Sequence, residues 1–168
     1  MPIDNCMEKI HAYSEDTVRR IATFAGLRSD QPALVVNGDS RRVNLEKVLP
    51  SDVQFDGIFT SPPYVGQIDY HNQHVYAYEL FGIPRRDSSE IGPKRGGKSK
   101  LAQQSYVENI AAVFGHCSKF LKPGGKVFIV ANDRFGLYPE IMQRSGLRIK
   151  ETIVRAVTKR TEQGDDSF

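Results

Sequence analysis

The sequence predicts a mixed α/β fold built on a mostly parallel sheet. Three observations carry that expectation. Short apolar runs alternate with amphipathic helical stretches along the chain. The central runs "FDGIFT" (55–60) and "KVFIVAN" (126–132) are continuously apolar rather than alternating, as strands covered on both faces are. Polar residues stand where these and a third run end, at Asp39, Ser61, Asn132 and Asp133, and carboxyl ends of strands are where ligands bind in such sheets.

The elements follow in order. "DTVRRIATFAGL" (16–27) places Val18, Ile21, Ala22 and Ala25 at helical spacing behind Asp16 as a potential N-cap. "ALVVNGD" (33–39) reads as a strand ending in a Gly-Asp turn, and "NLEKVL" (44–49) as a short helix. The strand "FDGIFT" runs into two prolines, which cannot donate to a ladder and so end it. Residues 71–82 read as a helix closed by Gly82. In 105–125, Val107, Ile110, Ala111, Phe114, Cys117 and Leu121 mark one apolar helix face, with Pro-Gly-Gly as its stop. The strand at 126–132 follows. Residues 138–146 form a helix with Pro139 in its first turn and Gly146 at its end, and 147–160 a last, partly exposed strand.

Composition narrows the function class. The chain has 168 residues, enough for one domain with its own core, and its 39% hydrophobic and 26% charged content suits a soluble globular protein. No apolar run reaches the roughly 18 residues of a membrane-spanning helix, and "MPIDNCMEKI" has no apolar signal core, so a cytoplasmic location without membrane contact is expected. Cys6 and Cys117 are far apart and fit a reducing compartment as free thiols. His71 and His74 lack a third ligand, and no metal site is expected.

Net charge is only +3, but residues 85–100 hold six basic residues (Arg85, Arg86, Lys94, Arg95, Lys98 and Lys100) against Asp87 and Glu90. With Gly92, Pro93, Gly96 and Gly97 among them, this segment is expected to be a basic flexible loop. It suits a polyanionic partner such as nucleic acid, although many charge runs simply face water.

"TSPPY" (60–64) carries the chemistry. The fixed φ angles of Pro62 and Pro63 hold the Ser61 and Pro62 carbonyls in direction, Ser61 adds a hydroxyl, and Tyr64 adds a stacking face. These groups suit a planar base bearing an exocyclic amine. Acceptors drawing both amine hydrogens out of line favour a pyramidal nitrogen with a freer lone pair, ready for an electrophilic methyl group.

"TSPPY", followed by "IDY" and "YELFG", resembles the catalytic motif and next helix of the amino-group DNA methyltransferases, which use S-adenosylmethionine. "FLKPGGKVFIVAND" is similar to the helix, turn and fifth strand of that Rossmann-like fold, and "VVNGDS" to its third strand. The resemblance covers roughly residues 33–160. It implies that Ser61 and Pro62, with Pro63 and Tyr64, form the catalytic site, Tyr64 stacking on a flipped base. It implies that Asp39 and Ser40 contact the cofactor, and that Asp69, Tyr70, Arg85, Arg86, Lys94, Arg95 and Lys98 face double-stranded DNA. Serine at the first motif position favours the cytosine 4-amino group over the adenine 6-amino group, in a restriction–modification or orphan system. RNA bases and protein glutamine are the substrates of similar enzymes and stand as alternatives, as does a non-catalytic nucleic-acid-binding subunit.

One departure bears on scope. The glycine-rich loop that follows the first strand of this fold has no counterpart here. The expectation is therefore an incomplete fold: one partial catalytic domain over 1–168 holding strands three to six, without the first two strands or the last. A complementary half would lie on a longer chain, a partner subunit or a second protomer, and strand edges left unpaired would await it.

Overall fold

The computed structural model describes residues 5–30 and 32–155. The chain forms two compact units, Met1–Val36 and Asn37–Phe168. The first holds one long helix, α1 (Cys6–Leu27). It begins ten residues before the expected start, because Asn5 rather than Asp16 caps it: the Asn5 side chain accepts from the Glu8 amide at 3.1 Å. Asp16 lies mid-helix, paired with Arg19 and with Arg20 one turn on.

The second unit is mixed α/β. Its strands β1 (Phe55–Thr60) and β2 (Leu121–Ile129) pair in parallel, with Ile58 beside Val127 and Phe59 beside Phe128. Between them lie the short helices α2 (Tyr70–Gln73) and α3 (Val75–Phe81) and the long α4 (Lys100–Cys117); α5 (Tyr138–Ser145) follows β2. The expected 71–82 helix is thus broken at His74, and it ends on Gly82 as expected.

The helix α4 starts five residues early, where the Ser99 hydroxyl accepts from the Ala102 amide, and it ends at Cys117. "KPGG" is therefore not its stop. Those residues bulge out of β2, so that Phe55 pairs with Leu121 but Gly57 with Lys126. Lys122 and Asp56 close the bulge with an ion pair at 2.6 Å.

The core lies where α4 and α5 meet one face of the sheet. Val107, Ile110, Ala111 and Phe114, spaced i, i+3, i+4 and i+7, are buried with Tyr106, Val65, Ile141 and Met142. Val127 and Ile129 pack against this cluster from β2. Ile141 is wholly enclosed, and burying such a side chain contributes about 1.5–3 kcal/mol.

Two expected strands do not form among the described residues. Residues 33–39 and 147–155 carry no strand pairing, and the rest of the expected last strand, 156–160, lies outside the described residues. A strand persists where a neighbour completes its ladder, and among the described residues β1 pairs with β2 alone. Of the four strands expected, two form among the described residues. The expectation that the middle strands are covered on both faces also fails, since Phe59 is 80% and Phe128 61% exposed on the face opposite the core.

Candidate functional site

The candidate site begins at the last rung of the sheet. The Val130 amide donates to the Thr60 carbonyl at 3.0 Å, and Ser61 follows directly. Because the strands are parallel, this end of β1 lies beside the end of β2 and residues 130–133. Ser61 is exposed, Pro62 buried, and Pro63 and Tyr64 half-buried. The chain then turns, the Gln67 amide donating to the Tyr64 carbonyl at 3.2 Å.

This turn is held from two sides. From α4, the Tyr106 hydroxyl donates to the Pro63 carbonyl at 2.8 Å and lies 3.3 Å from the Tyr138 hydroxyl of α5. Burial pushes both phenols upward in pKa, and Asp133 and Tyr64 act in the same direction, so both remain protonated and able to donate. Asp133 accepts from the Leu137 and Tyr138 amides and so caps α5, which makes it a structural group at this end of the sheet. Sequence reasoning passed over Tyr106 and Tyr138. The signal available was a tyrosine at the margin of an apolar helix face, whose hydroxyl needs a partner when buried.

The second support is the basic segment. The Gly66 amide donates to the Gly92 carbonyl at 2.9 Å and the Lys94 amide to the Ile68 carbonyl at 2.9 Å. A Cβ on Gly66, at φ +66°, would lie 2.5 Å from the Gly97 carbonyl oxygen; one on Gly92 would lie 2.8 Å from the Tyr106 ring. These glycines thus serve close approach.

Ion pairs complete the seam. Arg95 reaches Asp69 at 2.6 Å and Glu90 at 2.7 Å, and donates to the Asp87 carbonyl; Glu90 also accepts from the Tyr70 amide at 2.7 Å. Arg85 pairs with Asp87 and reaches Asn72 at 2.7 Å, and its guanidinium holds the Asp87 carboxyl down at about 2. The segment expected to be an open loop carries short helical turns at Asp87–Ser89 and Lys94–Gly96 and is laced to 66–70. Arg85, Arg95 and Asp69 spend their charge inside this network. Arg86 and Lys98 are exposed, as are Lys94 and Tyr70.

Asp39 and Ser40 lie apart from this seam in their bonding. The Asp39 carboxylate takes a fork from Arg41, Nε to Oδ1 at 2.8 Å and a terminal nitrogen to Oδ2 at 2.7 Å, with Arg42 at 3.3 Å. The Arg41 fork holds the Asp39 carboxyl at about 2, well below the usual carboxylate range. Arg41 further bonds Asn109 of α4 and, at 3.4 Å, the Ser89 carbonyl. Ser40 is exposed. Among the described residues no glycine-rich turn follows a strand end, and the Asp39 carboxylate, the acidic group expected to meet the cofactor, is held by Arg41. Among the described residues no three His, Cys, Asp or Glu side chains group as metal ligands, and no helix is long and apolar enough to cross a membrane.

A Type II methyltransferase of Methanocaldococcus jannaschii, M.MjaII, is 46% identical over 176 residues, which take in 99% of this chain and 33% of the relative. The chain is similar to part of a Type II methyltransferase. It spans about a third of that relative's length. No family model and no solved structure matches the chain.

Proposed function

We infer that this chain carries the substrate-amine bracket of a DNA methyltransferase that uses S-adenosylmethionine and acts on cytosine N4 in preference to adenine N6. The observation that supports this most directly is the 61–64 motif at the carboxyl end of β1, with its turn pinned by Tyr106 and by the 90–97 segment. The similarity to M.MjaII supports the same reading. Ser61 and the Pro62 carbonyl accept the two amine hydrogens, and Tyr64 stacks on the flipped base. The cofactor supplies an electrophilic methyl group when bound. Arg86 and Lys98 lie on the exposed basic face toward DNA, while Arg85, Arg95 and Asp69 shape the segment that presents them.

A complementary half belongs to this proposal. The free edge of β1 and the bare face at Phe59 and Phe128 support it, since parallel sheets are stable when both faces are covered. The missing glycine-rich loop also favours a second reading, a nucleic-acid-binding subunit that turns over nothing alone.

Methyl transfer from labelled S-adenosylmethionine to double-stranded DNA tests these readings, with and without a fragment carrying the glycine-rich loop. Transfer that is lost in Ser61→Ala and Tyr64→Ala supports the enzyme. Salt-sensitive DNA binding with no transfer under either condition sinks it.

A further inference from the structure

We propose that Tyr106 is the positioning residue of the 61–64 motif: its hydroxyl occupies the Pro63 carbonyl, leaving Ser61 and the Pro62 carbonyl as the acceptors that meet the substrate amine. This rests on the reading above and concerns how that site is aimed.

The direction of each hydrogen bond follows from the donors available. A carbonyl can only accept, so the single Tyr106 proton goes to the Pro63 oxygen at 2.8 Å. At the 3.3 Å contact Tyr106 must then accept, and Tyr138 donates. The result is a relay of fixed polarity, from Tyr138 through Tyr106 to the motif backbone. Each bond polarises the next, and the low-dielectric surroundings strengthen both. Burial raises both phenols, so neither donor is lost to ionisation at any working pH.

The purpose of such a relay lies in counting acceptors. An exocyclic amine has two hydrogens, while the motif offers the Ser61 hydroxyl and a run of backbone carbonyls. A free Pro63 carbonyl would be a competing acceptor on the same loop and would admit amine poses with the nitrogen out of line. Tyr106 weakens that competitor by engaging one of its two lone pairs and fixes the peptide plane after Pro63. Its ring is placed independently of its hydroxyl: it is 3% exposed and backed by Gly92, whose missing side chain leaves room for it. Tyr106→Phe therefore deletes the bond and keeps the packing.

The test combines a readout that needs no activity with one that does. In the 168-residue chain labelled with carbonyl-13C proline, the Pro63 resonance moves upfield in Tyr106→Phe, and by less in Tyr138→Phe, where the Tyr106 bond survives. In methyl transfer with the complementing fragment present, Tyr106→Phe loses about tenfold in kcat, the scale of one buried hydrogen bond, with KM for DNA and cofactor changed less than about twofold. An unmoved Pro63 resonance overturns the proposal, and so does a moved one with unchanged kcat. Absence of transfer by the wild-type chain in every combination overturns the methyltransferase reading instead, while the carbonyl resonance still decides whether the lock exists.

Discussion

Replacing Asp39 with asparagine removes the carboxylate that Arg41 grips with its fork and keeps an acceptor of the same shape. The side chains of Asp39 and Arg41 are 18% and 23% exposed, so the pair is neither fully wet nor sealed. The folded carboxyl titrates at about 2 against 3.8 for the free group. A difference of this size corresponds to about 2.4 kcal/mol, and solvent access to the fork reduces the expectation to about 1–2 kcal/mol at neutral pH. The sign follows from the depressed folded value. The stabilisation is fully present above the unfolded value near 4, falls to about half by pH 3, and is lost below about 2. Urea unfolding of wild type and Asp39→Asn at stepped pH reads this directly: a gap of about 1–2 kcal/mol at pH 7 that narrows steadily between about pH 4 and pH 2.5. Thermal melts at pH 7 show the variant lower by roughly 3–6 °C for a chain of this size. A gap that is equal at pH 7 and pH 3 would refute the argument, since it would mean that the charge of Asp39 contributes nothing through Arg41.

Two further substitutions probe the seam around the motif. Gly66→Ala forces a Cβ to within 2.5 Å of the Gly97 carbonyl at φ +66°, and unfolding in urea should show a loss of at least about 2 kcal/mol; an unchanged midpoint would mean that the 66–97 contact is not made. Lys98→Ala should lower the slope of log K against log salt for DNA by about one, whereas Arg95→Met, whose charge Asp69 and Glu90 already hold, should leave the slope alone and lower the melting temperature. Equal slopes in all three proteins would remove Lys98 from the DNA face.

What could be read from sequence was whatever a single element dictates. The i, i+3, i+4, i+7 spacing of Val107, Ile110, Ala111 and Phe114 marks the buried face of α4, and the two prolines mark the end of β1. What could not be read was whatever depends on a distant partner. "LVV" at 34–36 has strand composition but no ladder to join, so it is not a strand. The basic run looked free because composition cannot show that Asp69, 26 residues before Arg95, folds back onto it. Tyr106 carries no local signal of its role, because its acceptor lies 43 residues upstream. The motif's own residues are silent about what holds them.

That division bears on how the 61–64 turn can be held at the end of a sheet that has two strands among the described residues. A strand end is normally steadied by neighbours on both sides, and among the described residues β1 has one. The motif's supports instead come from outside the sheet: Tyr106 on α4, the Gly92 carbonyl and the Ile68–Lys94 bond. None of these bonds is a rung on the edge of β1 left unpaired among the described residues, and none involves Phe59 or Phe128. A complementary half that docks on that edge and face would therefore meet an acceptor set already aimed, and would add the cofactor cradle without rebuilding the amine site. On the proposed reading the two functions separate physically. Complementation should raise cofactor affinity steeply while leaving the Pro63 carbonyl resonance where the isolated chain has it. A Pro63 resonance that shifts on complementation would show instead that the bracket is assembled across the interface.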